Sequence, residues 1–127
     1  MGNGTSIGRV RGLGSAKHGA SLWLVQRFTA IGNFVLVLWL LASVIMLPGY
    51  DYATVHAWLA RPFAATAMVL MIVSTFWHAR LGVQVLAEDY VHDEGLKFAV
   101  LAALNSIPLA AAAFGIICVL RIALGGA

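Results

Sequence analysis

Three apolar stretches, each about 20 residues long, leave this chain few ways to fold, because that is the length a helix needs to cross a bilayer core. The first runs from about Phe28 to Leu47. Within it, Phe34 to Ile45 is interrupted only by Ser43, and Pro48-Gly49 ends it. The second begins near Arg61-Pro62, where proline suits a first helical turn, and continues to about Ala87. The third runs from about Leu96 to Leu120 and contains Pro108. Backbone polar groups in lipid must be satisfied inside their own segment, so the stretches read as helices. Of the 127 residues, 61% are hydrophobic and 10% charged. Soluble domains carry roughly 25% charged residues, and a chain so poor in them has too few polar groups to cover a soluble surface. The expected fold class is therefore an all-α membrane protein with three transmembrane helices. Residues 1–27 form an N-terminal tail and residues 28–127 a three-helix anchor domain.

Charge placement orients the spans. Arg9, Arg11, Lys17 and Arg27 all precede the first acid, Asp51. No aromatic residues interleave with them in the manner of a nucleic-acid module, so nucleic acid is not an expected partner. A positive-inside signal explains them. Three spans put the tail and the loop after Ala87 on one side, with Arg9, Arg11, Lys17, Arg27 and Lys97, against Arg61 and Arg121 on the other. This bias places the N-terminus in the cytoplasm, or on the equivalent matrix side. The tail is too long and too polar to open a secretory signal, and its glycines disfavour an amphipathic transit helix. Cys118, the single cysteine, lies in an apolar run and reads as a small hydrophobe.

His78 is the most informative residue. It lies well inside the second span, in Ser74-Thr75-Phe76-Trp77-His78-Ala79-Arg80. Ionisable groups at such depth are expensive and are functional candidates by default. One reading is a neutral histidine hydrogen-bonded to a neighbouring helix. The other is a cofactor ligand. Helical offsets of 3, 4, 7 and 11 put Ser74, Leu81, Gly82, Val85 and Asp89 on the face of His78. Gly82 removes a side chain one turn away, the clearance that a flat macrocycle would need. Haem iron takes histidine as an axial ligand, and helix bundles build such sites from inward side chains. His18, His56 and His92 lie in tails or loops, so a six-coordinate haem would take its other ligand from a second polypeptide.

Other polar residues flank this one. Arg80 points roughly opposite His78, since two residues turn by about 200°. It either snorkels to the cytoplasmic interface or reaches a propionate. Asp89 lies about 16 Å below His78 on one face. Asp89 and Tyr90 at the helix end are either a solvated acid and an aromatic-belt anchor, or a quinone site. In the second case the phenol donates to a carbonyl oxygen and the carboxylate supports proton delivery. Arg27 is either a topogenic anchor or a fixed cation for a propionate or a quinone. Trp23, Trp39, Trp58 and Trp77 fit packing or interface roles, and Asn105, Ser106 and Pro108 polarise or kink the third helix. No phosphate-cradling loop, Cys/His quartet or nucleophile–base pair is present, so the chain alone is not expected to catalyse a reaction.

The segment His78-Ala79-Arg80-Leu81-Gly82-Val83-Gln84-Val85-Leu86-Ala87-Glu88-Asp89-Tyr90-Val91 resembles the signature of the small hydrophobic membrane anchor subunits of succinate dehydrogenase, respiratory complex II. Gly12-Leu13-Gly14-Ser15-Ala16-Lys17-His18-Gly19, followed by Gln26-Arg27-Phe28-Thr29-Ala30, is similar to the amino-terminal region of that family in proteobacteria. The resemblance covers essentially the whole chain. It implies a multisubunit haem-binding helix bundle in the bacterial inner membrane. His78 would be one axial ligand of the iron of haem b, the second coming from a partner cytochrome b subunit. Tyr90 would hydrogen-bond ubiquinone with Asp89 beside it, and Arg27 would sit near the propionates and the quinone. A flavoprotein subunit carrying FAD and a subunit carrying iron-sulfur clusters would dock on the cytoplasmic face. The complex would pass electrons from succinate to ubiquinone, linking the tricarboxylic acid cycle to the respiratory chain. Two other readings remain open: a fumarate reductase anchor using menaquinone, and a cofactor-free structural membrane protein.

Overall fold

The structure, a computed structural model, describes residues 19–125. Four helices account for nearly all of them: α1 Gly19–Ile45, α2 Tyr52–Leu59, α3 Pro62–Tyr90 and α4 Glu94–Ala123. No strand occurs among the described residues. The three long helices, of 27, 29 and 30 residues, each exceed the roughly 20 residues that a bilayer core requires. All three are apolar enough to span. The fold class expected from the sequence is the one observed.

The helix ends differ from expectation in an instructive way. Helix α1 starts at Gly19, ahead of the expected start at Phe28, so the last part of the expected 1–27 tail is helical. Leu22, Trp23, Leu24 and Val25 carry the apolar surface back past Arg27, and the Arg27 guanidinium lies over the Trp23 ring at 5.0 Å. A cation on an aromatic face needs less water, which lets the helix run through the charge. Residues 1–18 lie outside the described residues, and with them Arg9, Arg11, Lys17 and His18. At the other ends, caps rather than apolar runs set the boundaries. Asp93 accepts from the Leu96 amide at 2.7 Å to open α4. Lys97 reaches back to the Glu88 carbonyl of α3 at 3.2 Å.

Helix α2 was not anticipated in the connection between the first two spans. Asp51 starts it by accepting from the Thr54 amide at 3.1 Å and the Thr54 hydroxyl at 2.7 Å. Trp58 of α2 stacks on Trp39 of α1 with ring centroids 5.9 Å apart, and Phe63 of α3 meets the same Trp39 edge-on at 5.9 Å. Two of the four tryptophans therefore pack the far end of the bundle.

Helix α3 is the centre of the arrangement. Helices α1 and α4 both pack on it, and their backbones do not approach each other closely among the described residues. The buried positions are Ala64, Ala65, Ala67, Leu81, Ala87 and Val119. Small residues matter here because lipid is as apolar as leucine, so helices associate through close packing and hydrogen bonds. Gly115 of α4 shows that closeness: a Cβ there would lie 3.3 Å from Ile72 Cδ1 of α3. Most large apolar side chains face outward, among them Phe34, Phe63, Phe98 and Phe114.

The cap of α2 generates a pH prediction. The Thr54 hydroxyl and amide donate to the Asp51 carboxylate and hold its pKa below the ordinary carboxylate value. A lowered folded-state pKa contributes stability above the unfolded value, and that contribution is lost as pH falls through the folded one. Acidification should therefore fray α2 before the long helices. Amide exchange at Thr54 should accelerate in the wild type. In Asp51→Asn, which caps without titrating, it should not respond to pH beyond the intrinsic chemistry.

Candidate functional site between α1 and α3

A polar seam joins α1 to α3. His78 of α3 is half-buried, and its Nδ1 lies 3.0 Å from the Thr29 hydroxyl of α1. The same hydroxyl is 2.9 Å from the Val25 carbonyl and 3.1 Å from the Gln26 carbonyl, both of its own helix. The Ser74 hydroxyl donates to the Thr29 carbonyl at 3.4 Å, and the Thr75 hydroxyl to Asn33 Oδ1 at 3.4 Å. The α1 members Gln26, Thr29 and Asn33 are spaced by three and four residues, and Ser74, His78 and Gly82 on α3 by four each time. That spacing keeps each set on one side of its helix.

Two glycines flank the seam. A Cβ on Gly32 would lie 3.7 Å from Ser74 Oγ, and one on Gly82 would meet only Gln26 Nε2, at 3.9 Å. Both are ordinary contact distances. Packing within this chain therefore does not require glycine at position 82, where an added Cβ would touch only Gln26 of α1.

The other expected site residues lie elsewhere. Asp89 and Tyr90 are adjacent at the last turn of α3, and Tyr90 is 78% exposed. Arg27 is exposed on α1, one residue from Gln26, which faces Gly82. Position 82 is eight residues from Tyr90, about 12 Å along the axis. Arg27 thus belongs to the layer just beyond His78 rather than to the rim at Tyr90. Its described contact is with Trp23, and no described contact joins it to His78, Asp89 or Tyr90. Near this end, Gln84 donates to Glu88 at 2.8 Å beside a small cleft lined by Leu22, Gln26, Leu81 and Val85.

Arg80 occupies the opposite face of α3, as helical rotation requires. It lines a cavity of about 470 Å³ between α3 and α4, together with Asn105, Pro108 and Ala112. Its guanidinium sits over the Trp77 ring at 5.2 Å. Asn105 spends its Nδ2 on the Leu101 carbonyl at 2.7 Å. No group of three or more metal-binding side chains forms among the described residues.

Sequence reasoning missed Thr29 and Asn33 as partners of the His78 layer. The signal was present: a polar stripe at helical spacing in an otherwise apolar helix.

The seam can be checked by cross-linking. In a Cys118→Ser background, Gly32→Cys with Ser74→Cys should form a disulfide on mild oxidation. Gly32→Cys with Arg80→Cys should not, because Arg80 faces α4. A Cβ at Gly32 lies near the Ser74 side chain, in the range that disulfide geometry tolerates. Equal cross-linking by both pairs, seen as gel mobility in non-reducing conditions, would refute the register.

The succinate dehydrogenase/fumarate reductase transmembrane subunit family matches residues 1–120. Hydrophobic membrane anchor subunits of succinate dehydrogenase from Rickettsia bellii and Rickettsia conorii are each 34% identical to the chain, over 72% of its length and 73% of theirs. The succinate dehydrogenase membrane anchor subunit of Reclinomonas americana is 38% identical over 61% of the chain and 68% of its own length. The chain belongs to the succinate dehydrogenase/fumarate reductase transmembrane subunit family, among the membrane anchor subunits of succinate dehydrogenase.

Proposed function

We propose that this chain supplies half of a haem b site and one wall of a ubiquinone site, and that it anchors the succinate-oxidising subunits to the membrane. The observation that carries the reading is His78. Its ring lies well inside a spanning helix, Nδ1 is held by Thr29 of the neighbouring helix, and Gly82 adds no side chain one turn away. A packing histidine needs the Thr29 contact, but nothing in the packing of this chain requires glycine at position 82. Haem b, when bound, supplies a one-electron centre between the donor and the quinone. The chain's own residues do the rest. His78 would hold the group through one ring nitrogen, and a partner cytochrome b subunit would supply the other ligand. Arg27, in the neighbouring layer, offsets the propionate charge.

At the rim, the exposed Tyr90 phenol donates to a quinone carbonyl, and Asp89 beside it conducts protons from water. The iron-sulfur and flavoprotein subunits dock on this side. With the Lys/Arg bias, that side is the cytoplasm of a bacterial cell and the membrane is the inner membrane. The printed names of the relatives favour succinate as the physiological donor over the reversed, fumarate-reducing direction.

Two substitutions test the halves separately. His78→Ala in the assembled complex should abolish or strongly diminish the b-type band in reduced-minus-oxidised spectra. An unchanged band would remove His78 from the ligand set and return it to a packing role. Tyr90→Phe should lower quinone reduction by up to about tenfold, the worth of one hydrogen bond. Succinate oxidation with an artificial soluble acceptor should be unaffected. Equal loss of both activities, or of neither, would count against the phenol.

A further inference from the structure

We infer that Thr29 is a positioning residue for the haem ligand: it fixes the tautomer and the ring orientation of His78 from the neighbouring helix. The inference rests on the reading of His78 as an axial ligand. Only one ring nitrogen of a neutral imidazole carries a proton, and only the other has a lone pair for a metal. Which is which is set by the partner of the nitrogen that does not face the metal.

The hydroxyl of Thr29 decides the question through its own surroundings. It has one proton and sits 2.9 and 3.1 Å from the Val25 and Gln26 carbonyls, which can only accept. Donating to its own helix leaves the oxygen's lone pairs for His78 Nδ1 at 3.0 Å. Nδ1 is then the protonated nitrogen, and Nε2 keeps the lone pair. Ser74, donating to the Thr29 carbonyl, and Gly32, allowing close approach beside it, hold the two helices at the distance this bond needs.

Two consequences follow for a bound haem. The ring plane is fixed, because rotating it would leave an N–H unpaired in a low-dielectric site. An N–H that donates also pushes electron density to the far nitrogen. Stronger electron donation to the iron would favour its oxidised state. Removing the acceptor should therefore raise the reduction potential.

The test uses the assembled complex with Thr29→Val and Thr29→Ser, each titrated spectroelectrochemically and assayed for haem per flavin. Thr29→Val should shift the haem potential upward and lower haem retention, roughly 10- to 100-fold in affinity. Thr29→Ser, which keeps the hydroxyl, should restore both toward wild type. An unchanged potential and haem content in Thr29→Val would overturn the inference. So would failure of Thr29→Ser to recover the potential. His78→Ala separates the two levels. If it leaves the haem spectrum unchanged, the ligand assignment itself falls. If it removes the haem while Thr29→Val changes nothing, only the role of Thr29 falls. Should Thr29→Val fail to assemble, hyperfine spectroscopy on the unsubstituted oxidised complex decides. An exchangeable proton on Nδ1 of this chain's ligand is expected, and its absence would overturn the inference.

Discussion

Inside a membrane, a polar side chain that has left water must find its partner on another helix or on its own backbone. The α1–α3 seam meets that requirement with few atoms. Thr29 answers its own helix and His78 together, and Ser74 returns a bond to the Thr29 backbone. Because apolar surface gives little drive for helices to associate in lipid, these bonds and the glycines beside them decide where α1 sits on α3. The depth and direction of His78 follow from that placement.

The same economy leaves the chain visibly partial. Helix α3 carries α1 on one side and α4 on the other, and neither outer helix closes over the bundle. The buried set consists largely of alanines, while large apolar residues along every spanning helix face outward. Some of that surface meets lipid. A member of a transmembrane subunit family that buries so little within itself leaves broad apolar surface for lipid and for other subunits.

Much of this was legible in the sequence, for physical reasons that can be assigned residue by residue. Span number came from the length of apolar runs, and the face of His78 came from 3.6-residue periodicity, because neither depends on a partner. The start of α1 was misplaced since Arg27 was taken to end the apolar region. The Trp23 ring beneath the guanidinium is a tertiary accommodation of that charge within a single helix, and composition does not reveal it. Helix α2 was missed because eight residues give too little periodicity to read. Its Asp51 cap, three residues before Thr54, was the available signal. Thr29 was hidden for a different cause: its importance lies in register, in that it stands opposite residue 78. Register between antiparallel helices is not written in either strand of sequence alone.

Antiparallel packing also explains why two similar arginine–tryptophan pairs serve different ends. Side chains on a helix lean toward its N-terminus. On α1 that lean carries Arg27 toward Trp23 and the end of the bundle where α1 begins. That is the direction in which a long side chain reaches water. Helix α3 runs the other way, so the same lean carries Arg80 toward Trp77, one turn further from the Tyr90 end. Snorkelling toward that end would require Arg80 to turn against its own helix and leave the ring. It stays instead in the cavity beside Asn105 and Pro108, held by an aromatic face. Arg27, by contrast, lies over Trp23 on the side toward the start of its own helix, the direction in which it reaches water. The different surroundings of the two arginines thus follow from helix direction, with residue type and depth nearly matched.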